Sequence, residues 1–221
     1  NAARENLEQY GNILINEFSG VFKLSSQEEN SLQIIADGIG NSINNGICVQ
    51  HGDFCRQNIL VADSSSGIKF NVIDWTDSKP VGFALHDLFY FLTSYFMQVR
   101  IGRGVNQITQ SFEDTIFLPN CYSELVGRYI VQHCEALSVN LSNLSILFGL
   151  FLVEQALFEY KKMVKCVQRN TLPRFTIYLS IQSQATFNDS VKQQLWINLF
   201  RMCVKKKAFS NGGLFQIESI I

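Results

Sequence analysis

The sequence predicts an α+β fold that is mostly α: a helical domain carrying one small β-hairpin. Three observations predict it. After residue 84, apolar residues recur at three- and four-residue spacing through most of the chain. Only three prolines, Pro80, Pro119 and Pro173, interrupt the 221 residues, each where one helix would give way to another. Between 58 and 73, two strand-like runs flank the turn-rich Asp63-Ser64-Ser65-Ser66-Gly67. With 47% hydrophobic and 17% charged residues, the chain can bury a substantial core as a single domain spanning 1–221, with no signature of disorder.

Residues 3–17 read as a first helix, with Leu7, Tyr10, Ile13 and Leu14 at helical spacing. Ser25 and Ser26 each stand three before a glutamate, Glu28 and Glu29, the spacing of a capping box. The helix they open carries Leu32, Ile35 and Ile39. Gly38-Ile39-Gly40 reads as its ending, and Asn45-Gly46 as a stop signal. A short β-run, Ile47-Cys48-Val49-Gln50, leads into His51. The hairpin follows, from Asn58-Ile59-Leu60-Val61 to Ile68 through Ile73. A turn centred near Ser66 would set Asn58 opposite Asp74, with Cβ atoms about 5 Å apart. Later helices are expected near 85–99, 121–138, 142–168 and 187–205. The aromatic run Phe89, Phe91, Tyr95 and Phe96 reads as core.

Net charge −1 leaves no basic footprint for nucleic acid or an anionic membrane, and Lys205-Lys206-Lys207 reads as a solvated helix end. The six cysteines are scattered, without a Cys-x-x-Cys pair, which argues against a structural zinc site. They read as reduced thiols and point to the cytoplasm. The longest apolar run, Leu144 to Val153, is stopped by Glu154 and falls short of the roughly 20 residues a bilayer requires. No membrane partner is expected.

The chemistry concentrates in His51-Gly52-Asp53-Phe54-Cys55-Arg56-Gln57-Asn58, followed by Val72-Ile73-Asp74-Trp75. An acid, an amide five positions on, and a second acid beyond a turn can build a magnesium-phosphate site. The plainer alternative is that Asp53 and Asn58 satisfy loop backbone groups and that Asp74 ends a strand. Cys55 reads as an inert spacer, Asp77 as turn chemistry, and His86 as packing or solvent-facing. His133 reads as an ordinary, partly buried histidine.

The succession runs from a β-run into His-Gly-Asp, four spacers and Asn, then an apolar strand, a turn and Ile-Asp-Trp. Asp87 then stands before an apolar helix. Over roughly residues 25–100 this pattern resembles the aminoglycoside phosphotransferase and choline kinase superfamily, which is protein-kinase-like. The resemblance implies the C-terminal lobe of such an enzyme. It makes Asp53 the catalytic aspartate that orients and deprotonates the acceptor hydroxyl, Asn58 and Asp74 the metal ligands, and His51 and Asp87 structural supports of the catalytic loop. It implies Mg2+ with ATP or GTP, and a small-molecule hydroxyl acceptor such as an aminoglycoside, a sugar or an amino alcohol. The helical part is not rich in acids, and Lys161, Lys162 and Lys165 cluster on one helix, which leans away from a polycation.

Such kinases also need an N-terminal β-lobe with a phosphate-pairing lysine. Lys23 is the sole lysine before His51, so that lobe is expected to lie outside this chain, in cis in the full-length protein. Alone, the chain is then expected to be nearly inactive. The alternative is a non-catalytic, pseudokinase-like interaction module; retention of Asp53, Asn58 and Asp74 argues against it. A metallohydrolase using His51 and Asp53 is weaker, because such sites need further ligands.

Overall fold

A computed structural model describes residues 2–42, 47–65, 67–102, 108–168, 194–211 and 214–215. The elements are α1 (Ala2–Val21), α2 (Ser26–Ser42), β1 (Ile47–Gln50), β2 (Ile59–Ser64), β3 (Gly67–Val72), β4 (Lys79–Phe83), α3 (His86–Gly102), α4 (Ile108–Ile116), α5 (Cys121–Leu137), α6 (Leu144–Gln168), α7 (Leu195–Lys205) and α8 (Ala208–Asn211). Short 3-10 turns, Arg56–Asn58 and Leu141–Asn143, precede β2 and α6. The fold is mostly helical with two small antiparallel sheets, as the sequence predicts for α+β.

Helix α6 organises the core. Its residues Leu150, Phe151, Leu152 and Val153 are all buried, and a helix apolar on every side must be enclosed by others. It is long and apolar enough to cross a membrane by length and composition, yet most of it is buried inside the protein, as in a core helix. Helices α1, α2, α3 and α7 pack around it. Phe89 of α3 meets Phe148 and Phe151 of α6 at ring-centroid distances of 5.0 and 5.7 Å, and Phe215 stacks on it at 5.9 Å.

The capping box is present: Ser25 N donates to Glu28 Oε2 at 2.6 Å, and Glu28 N to Ser25 Oγ at 3.4 Å. Glu28 also holds Arg201 of α7 at 2.8 Å, tying the start of α2 to the end of the chain. Helix α2 does not end at Gly38-Ile39-Gly40 but runs on to Ser42. Gly38 serves contact instead, since a Cβ there would lie 2.7 Å from Ile146 Cγ1 of α6. Gly149 does the same from α6, where a Cβ would meet Ile35 Cδ1 at 2.5 Å.

Three elements escape the sequence reading. Helix α4 has only nine residues, α8 only four, and β4 contains Pro80, taken as a helix break. Strand β4 pairs antiparallel with β1, Ile47 against Phe83 and Gln50 against Lys79. A two-stranded sheet has only edge strands, where proline is tolerated. His133 is exposed rather than partly buried. The expected helix 187–205 is seen as Leu195–Lys205; positions 187–193, like Asn45, Gly46, Ser66 and Pro173, lie outside the described residues.

The hairpin corrects one geometric expectation. Ser64 pairs with Gly67 and Ile59 with Val72, so the connection is two residues long and the register places Asn58 opposite Ile73, not Asp74. Ile73 N donates to Asn58 O at 2.9 Å, extending that ladder by one pair. A turn centred half a residue earlier than Ser66 shifts every partner by one, and in a strand one residue changes the face. Asp74 is the first residue past the ladder.

Candidate active site

The loop from His51 to Asn58 is shaped by its backbone and by Asp87. Gly52 sits at φ +85°, and a Cβ there would run into the carbonyl oxygen of Asp77, so no other residue fits. Cys55 N donates to Asp53 O at 2.9 Å and Asn58 N to Cys55 O at 3.0 Å, coiling the loop into the 3-10 turn. Asp87, at the start of α3, accepts from His51 N at 2.6 Å and Gly52 N at 3.0 Å. Burial opposes the charge on Asp87, but His86 and these two backbone donors outweigh it and hold the carboxyl below its ordinary range.

His51 is buried and joins the loop to the far strand. Its Nε2 lies 2.9 Å from Ile73 O, and its Nδ1 is 3.3 Å from Asp53 N. A carbonyl can only accept and a backbone N–H only donate, so the proton belongs on Nε2. Its ring sits 4.7 Å from Trp75.

The two candidate residues of the loop, Asp53 and Asn58, are joined directly. Buried Asn58 donates Nδ2 to Asp53 O at 2.8 Å and to Asp53 Oδ2 at 3.2 Å. Both partners are acceptors, which fixes the amide's orientation and leaves Oδ1 as the atom it can offer a cation. Asp74 is exposed, in the left-handed region at φ 61°. Thr76 Oγ1 donates to Asp74 Oδ1 at 2.7 Å, and the side-chain and backbone bonds from Thr76 lower its pKa.

Residues 43–119 match the model of the phosphotransferase enzyme family. The matched stretch holds the whole loop, both sheets, Asp74, Asp87 and α3, so it covers the motifs on which the resemblance was drawn. No curated protein and no solved structure matches the chain.

Within this matched segment, His51, Asp53, Asn58 and Asp87 are brought together by direct hydrogen bonds. Asp74 joins them through Ile73, its neighbour in sequence, which is bonded to both Asn58 and His51. The donors suit magnesium: an ionised, exposed carboxylate and an amide oxygen are hard ligands, and Mg2+ completes its shell with water and phosphate oxygens. Among the described residues no group of three or more His, Cys, Asp or Glu forms a denser metal cluster.

A second polar cluster went unread in the sequence. Glu154 of α6, 5% exposed, accepts from Tyr10 of α1 at 2.8 Å and is paired with Lys79 of β4. Its Oε2 lies 3.4 Å from His86 Nε2, while His86 Nδ1 lies 3.5 Å from Asp87 Oδ1. Gln155 Nε2 is 3.2 Å from His86 Nε2. Burial penalises the Glu154 charge, but His86 and Lys79 prevail and lower its pKa. Of the two readings of His86, the structure shows packing, since it is 2% exposed, and it also links the core to Asp87, the brace of the His51–Asn58 loop. The signal in the sequence was a single acid inside the apolar run of α6.

Proposed function

We propose that this chain carries the catalytic lobe of a kinase that transfers phosphate from Mg·ATP or Mg·GTP to a hydroxyl of a small molecule. The observation that carries the reading is the Asn58–Asp53 hydrogen bond beside the left-handed Asp74, within a segment matching a phosphotransferase family. Asp53 would orient the acceptor hydroxyl and take its proton, while Asn58 and Asp74 would hold the magnesium. Bound there, magnesium would neutralise charge on the phosphate oxygens. Asn58 both donates to the catalytic carboxylate and offers its oxygen to the metal, so it would keep the two a fixed distance apart.

The hairpin supplies a further support. Asn58 ends the 3-10 turn that leads into β2, where Leu60 stands two residues on, and Ile73 N donates to Asn58 O across the hairpin. Leu60 is 50% and Ile73 40% exposed, an apolar shelf beside the metal ligands on which a nucleoside base could lie. The phosphate-pairing lysine belongs, in this reading, to an N-terminal lobe of the same protein outside these residues. Five cysteines among the described residues are free thiols, which supports a reducing, cytoplasmic setting.

Sugars and amino alcohols are the preferred acceptor class, with aminoglycosides behind them. The lysine cluster weighs less than its sequence suggested, because Lys161 is paired with Glu17 of α1 at 2.8 Å. The test is transfer of the γ-phosphate from Mg·ATP to a panel of sugars, amino alcohols and aminoglycosides, followed by phosphorus NMR, with Asp53→Asn as control. Run on the protein together with the lobe that supplies the phosphate-pairing lysine, transfer lost in the variant supports the reading, and neither nucleotide binding nor transfer speaks against it; the present residues alone are expected to transfer little.

A further inference from the structure

His86 is enclosed between two carboxylates. Its Nε2 lies 3.4 Å from Glu154 Oε2, and its Nδ1 lies 3.5 Å from Asp87 Oδ1. Both His86 and Glu154 are buried, and neither His86 Nδ1 nor Glu154 Oε2 has a hydrogen-bond partner among the described residues. Leu85, buried and left-handed at φ 67°, joins β4 to α3 just before this pair. The next two side chains face different ways. His86 lies edge-on to Phe151 of α6, with ring centroids 5.3 Å apart, while Asp87 turns to the amides of His51 and Gly52.

We propose that His86 is a positioning residue for the His51–Asn58 loop and acts as an imidazolium, one ring N–H turned to Glu154 and the other to Asp87. Its use in phosphoryl transfer rests on the reading above; the two ion pairs stand without it. Charge balance calls for the proton. Asp87 accepts a backbone N–H on each oxygen, as an ionised carboxylate does. Glu154 accepts from Tyr10 of α1 and is paired with Lys79 of β4. Cys48 of β1 adds no cation; burial, then the Asp87 charge, push its thiol up and keep it neutral. Two carboxylates against one ammonium leave a negative charge unmatched beside the core, which is costly. Gln155 Nε2, 3.2 Å from His86 Nε2, offers a neutral alternative in which Nε2 accepts from the amide. That arrangement would set a ring lone pair against Glu154 Oε2.

The charge reaches the loop through one oxygen. Asp87 Oδ1, the atom His86 faces, also takes the N–H of Gly52 at 3.0 Å, while Oδ2 takes that of His51 at 2.6 Å. A cation at Oδ1 opposes rotation of the carboxylate, and the carboxylate plane sets the direction of both amides. Gly52 directly precedes Asp53, so the backbone that carries the candidate catalytic carboxylate is set with it. Asn58 fixes the other side of Asp53. Without the proton, one ring nitrogen presents a lone pair to a carboxylate, and that end of the clamp is repelled. Histidine is the side chain that ordinarily changes charge near neutrality. The hold is therefore present while the ring is charged and is lost as rising pH removes the proton.

The deciding test is a proton–nitrogen NMR titration of the whole chain, begun at about pH 5, above the range in which the carboxylates lose their charge, and carried upward. It follows the His86 ring nitrogens, assigned through contact with Phe151, together with the backbone amides of His51 and Gly52. Expected is a His86 ring protonated on both nitrogens at the start, and amides that move in step with its later deprotonation. Glu154→Gln keeps the shape and removes one charge. It is expected to release the His86 proton at lower pH and to carry the Gly52 transition with it. In His86→Gln that transition should vanish; should this variant fail to fold, wild type and Glu154→Gln still decide. A ring protonated on one nitrogen throughout, with its lone pair toward Gln155, would overturn the proposal. So would amides that do not follow the ring, or a transition unmoved in Glu154→Gln. Mg·ATP is titrated separately, so a chain indifferent to nucleotide counts against the phosphotransferase reading and leaves the His86 result standing. With the lysine-bearing lobe and an acceptor supplied, His86→Gln should lower kcat about tenfold or more while leaving the nucleotide KM unchanged.

Discussion

Asn58 donates one side-chain nitrogen to both the main-chain oxygen of Asp53, at 2.8 Å, and its carboxylate, at 3.2 Å. The same side chain therefore closes the loop and orients the Asp53 carboxylate. Asn58→Ala would remove both bonds and leave the Asp53 carbonyl to find another donor. The expected outcome is a loss of about 1–2 kcal/mol in urea unfolding, together with loss of any Mg·ATP response. Asn58→Asp places a second negative charge against Asp53 and should be worse for stability, despite being the better metal ligand by charge alone.

Asp87 is the brace of that loop. Asp87→Ala leaves the N–H groups of His51 and Gly52 without their acceptor, and should cost about 2–4 kcal/mol by urea unfolding. Asp87→Asn retains an acceptor oxygen and should cost less. Equal stability of wild type and the alanine variant would show that the loop holds its shape by other means.

Acid should loosen the same contacts. Asp87 and Glu154 both have pKa values below their ordinary 3.8 and 4.5 in the folded protein. The stability they contribute is therefore fully present above the ordinary values and is lost as pH falls through the lower, folded ones. Urea midpoints should hold steady down to about pH 5 and fall below about pH 4. In Asp87→Asn the fall should be shallower; an identical slope would remove Asp87 from the explanation.

The buried Glu154 joins three elements. Glu154→Ala strands Lys79, Tyr10 and His86 around an empty site and should destabilise the fold by about 3 kcal/mol or more, read by thermal unfolding. Because His86 touches both Glu154 and Asp87, the loss should also be felt at the catalytic loop. Combining Glu154→Ala with Asp87→Ala should then cost less than the two single losses added. Strict additivity would mean that the two sites do not communicate.

Gly149 offers a packing test far from the site. A Cβ there would press on Ile35 Cδ1 at 2.5 Å and Cγ1 at 2.8 Å. Despite the better helix propensity of alanine, Gly149→Ala should destabilise by about 1–3 kcal/mol through overpacking of α2 against α6. A more stable variant would show that Ile35 can yield.

Much of the site was legible because its chemistry is local. Asp53, Asn58 and the turn at Gly52 lie within one loop, and the spacing of their types determines what they can touch. Asp87 was legible from its place before an apolar helix. The Ser25–Glu28 box was legible because its two bonds form within four residues. What escaped depends on distant contacts. Glu154 meets Tyr10 and Lys79 from elements 144 and 75 residues away. The hairpin register failed by one place because the turn centre, falling between residues, was set on Ser66. Gly38 looked like a stop signal, since sequence alone does not show Ile146 pressed against it.

The most direct measurement is a thermal-shift titration with Mg·ATP, run side by side on the wild type and Asp74→Asn. A ligand that binds only the folded state raises the melting temperature according to its affinity. The expected result is a rise that requires magnesium, is present in the wild type and is lost in Asp74→Asn. An equal rise in both proteins, or none in the wild type at millimolar nucleotide, would contradict a metal-nucleotide site built from Asn58 and Asp74.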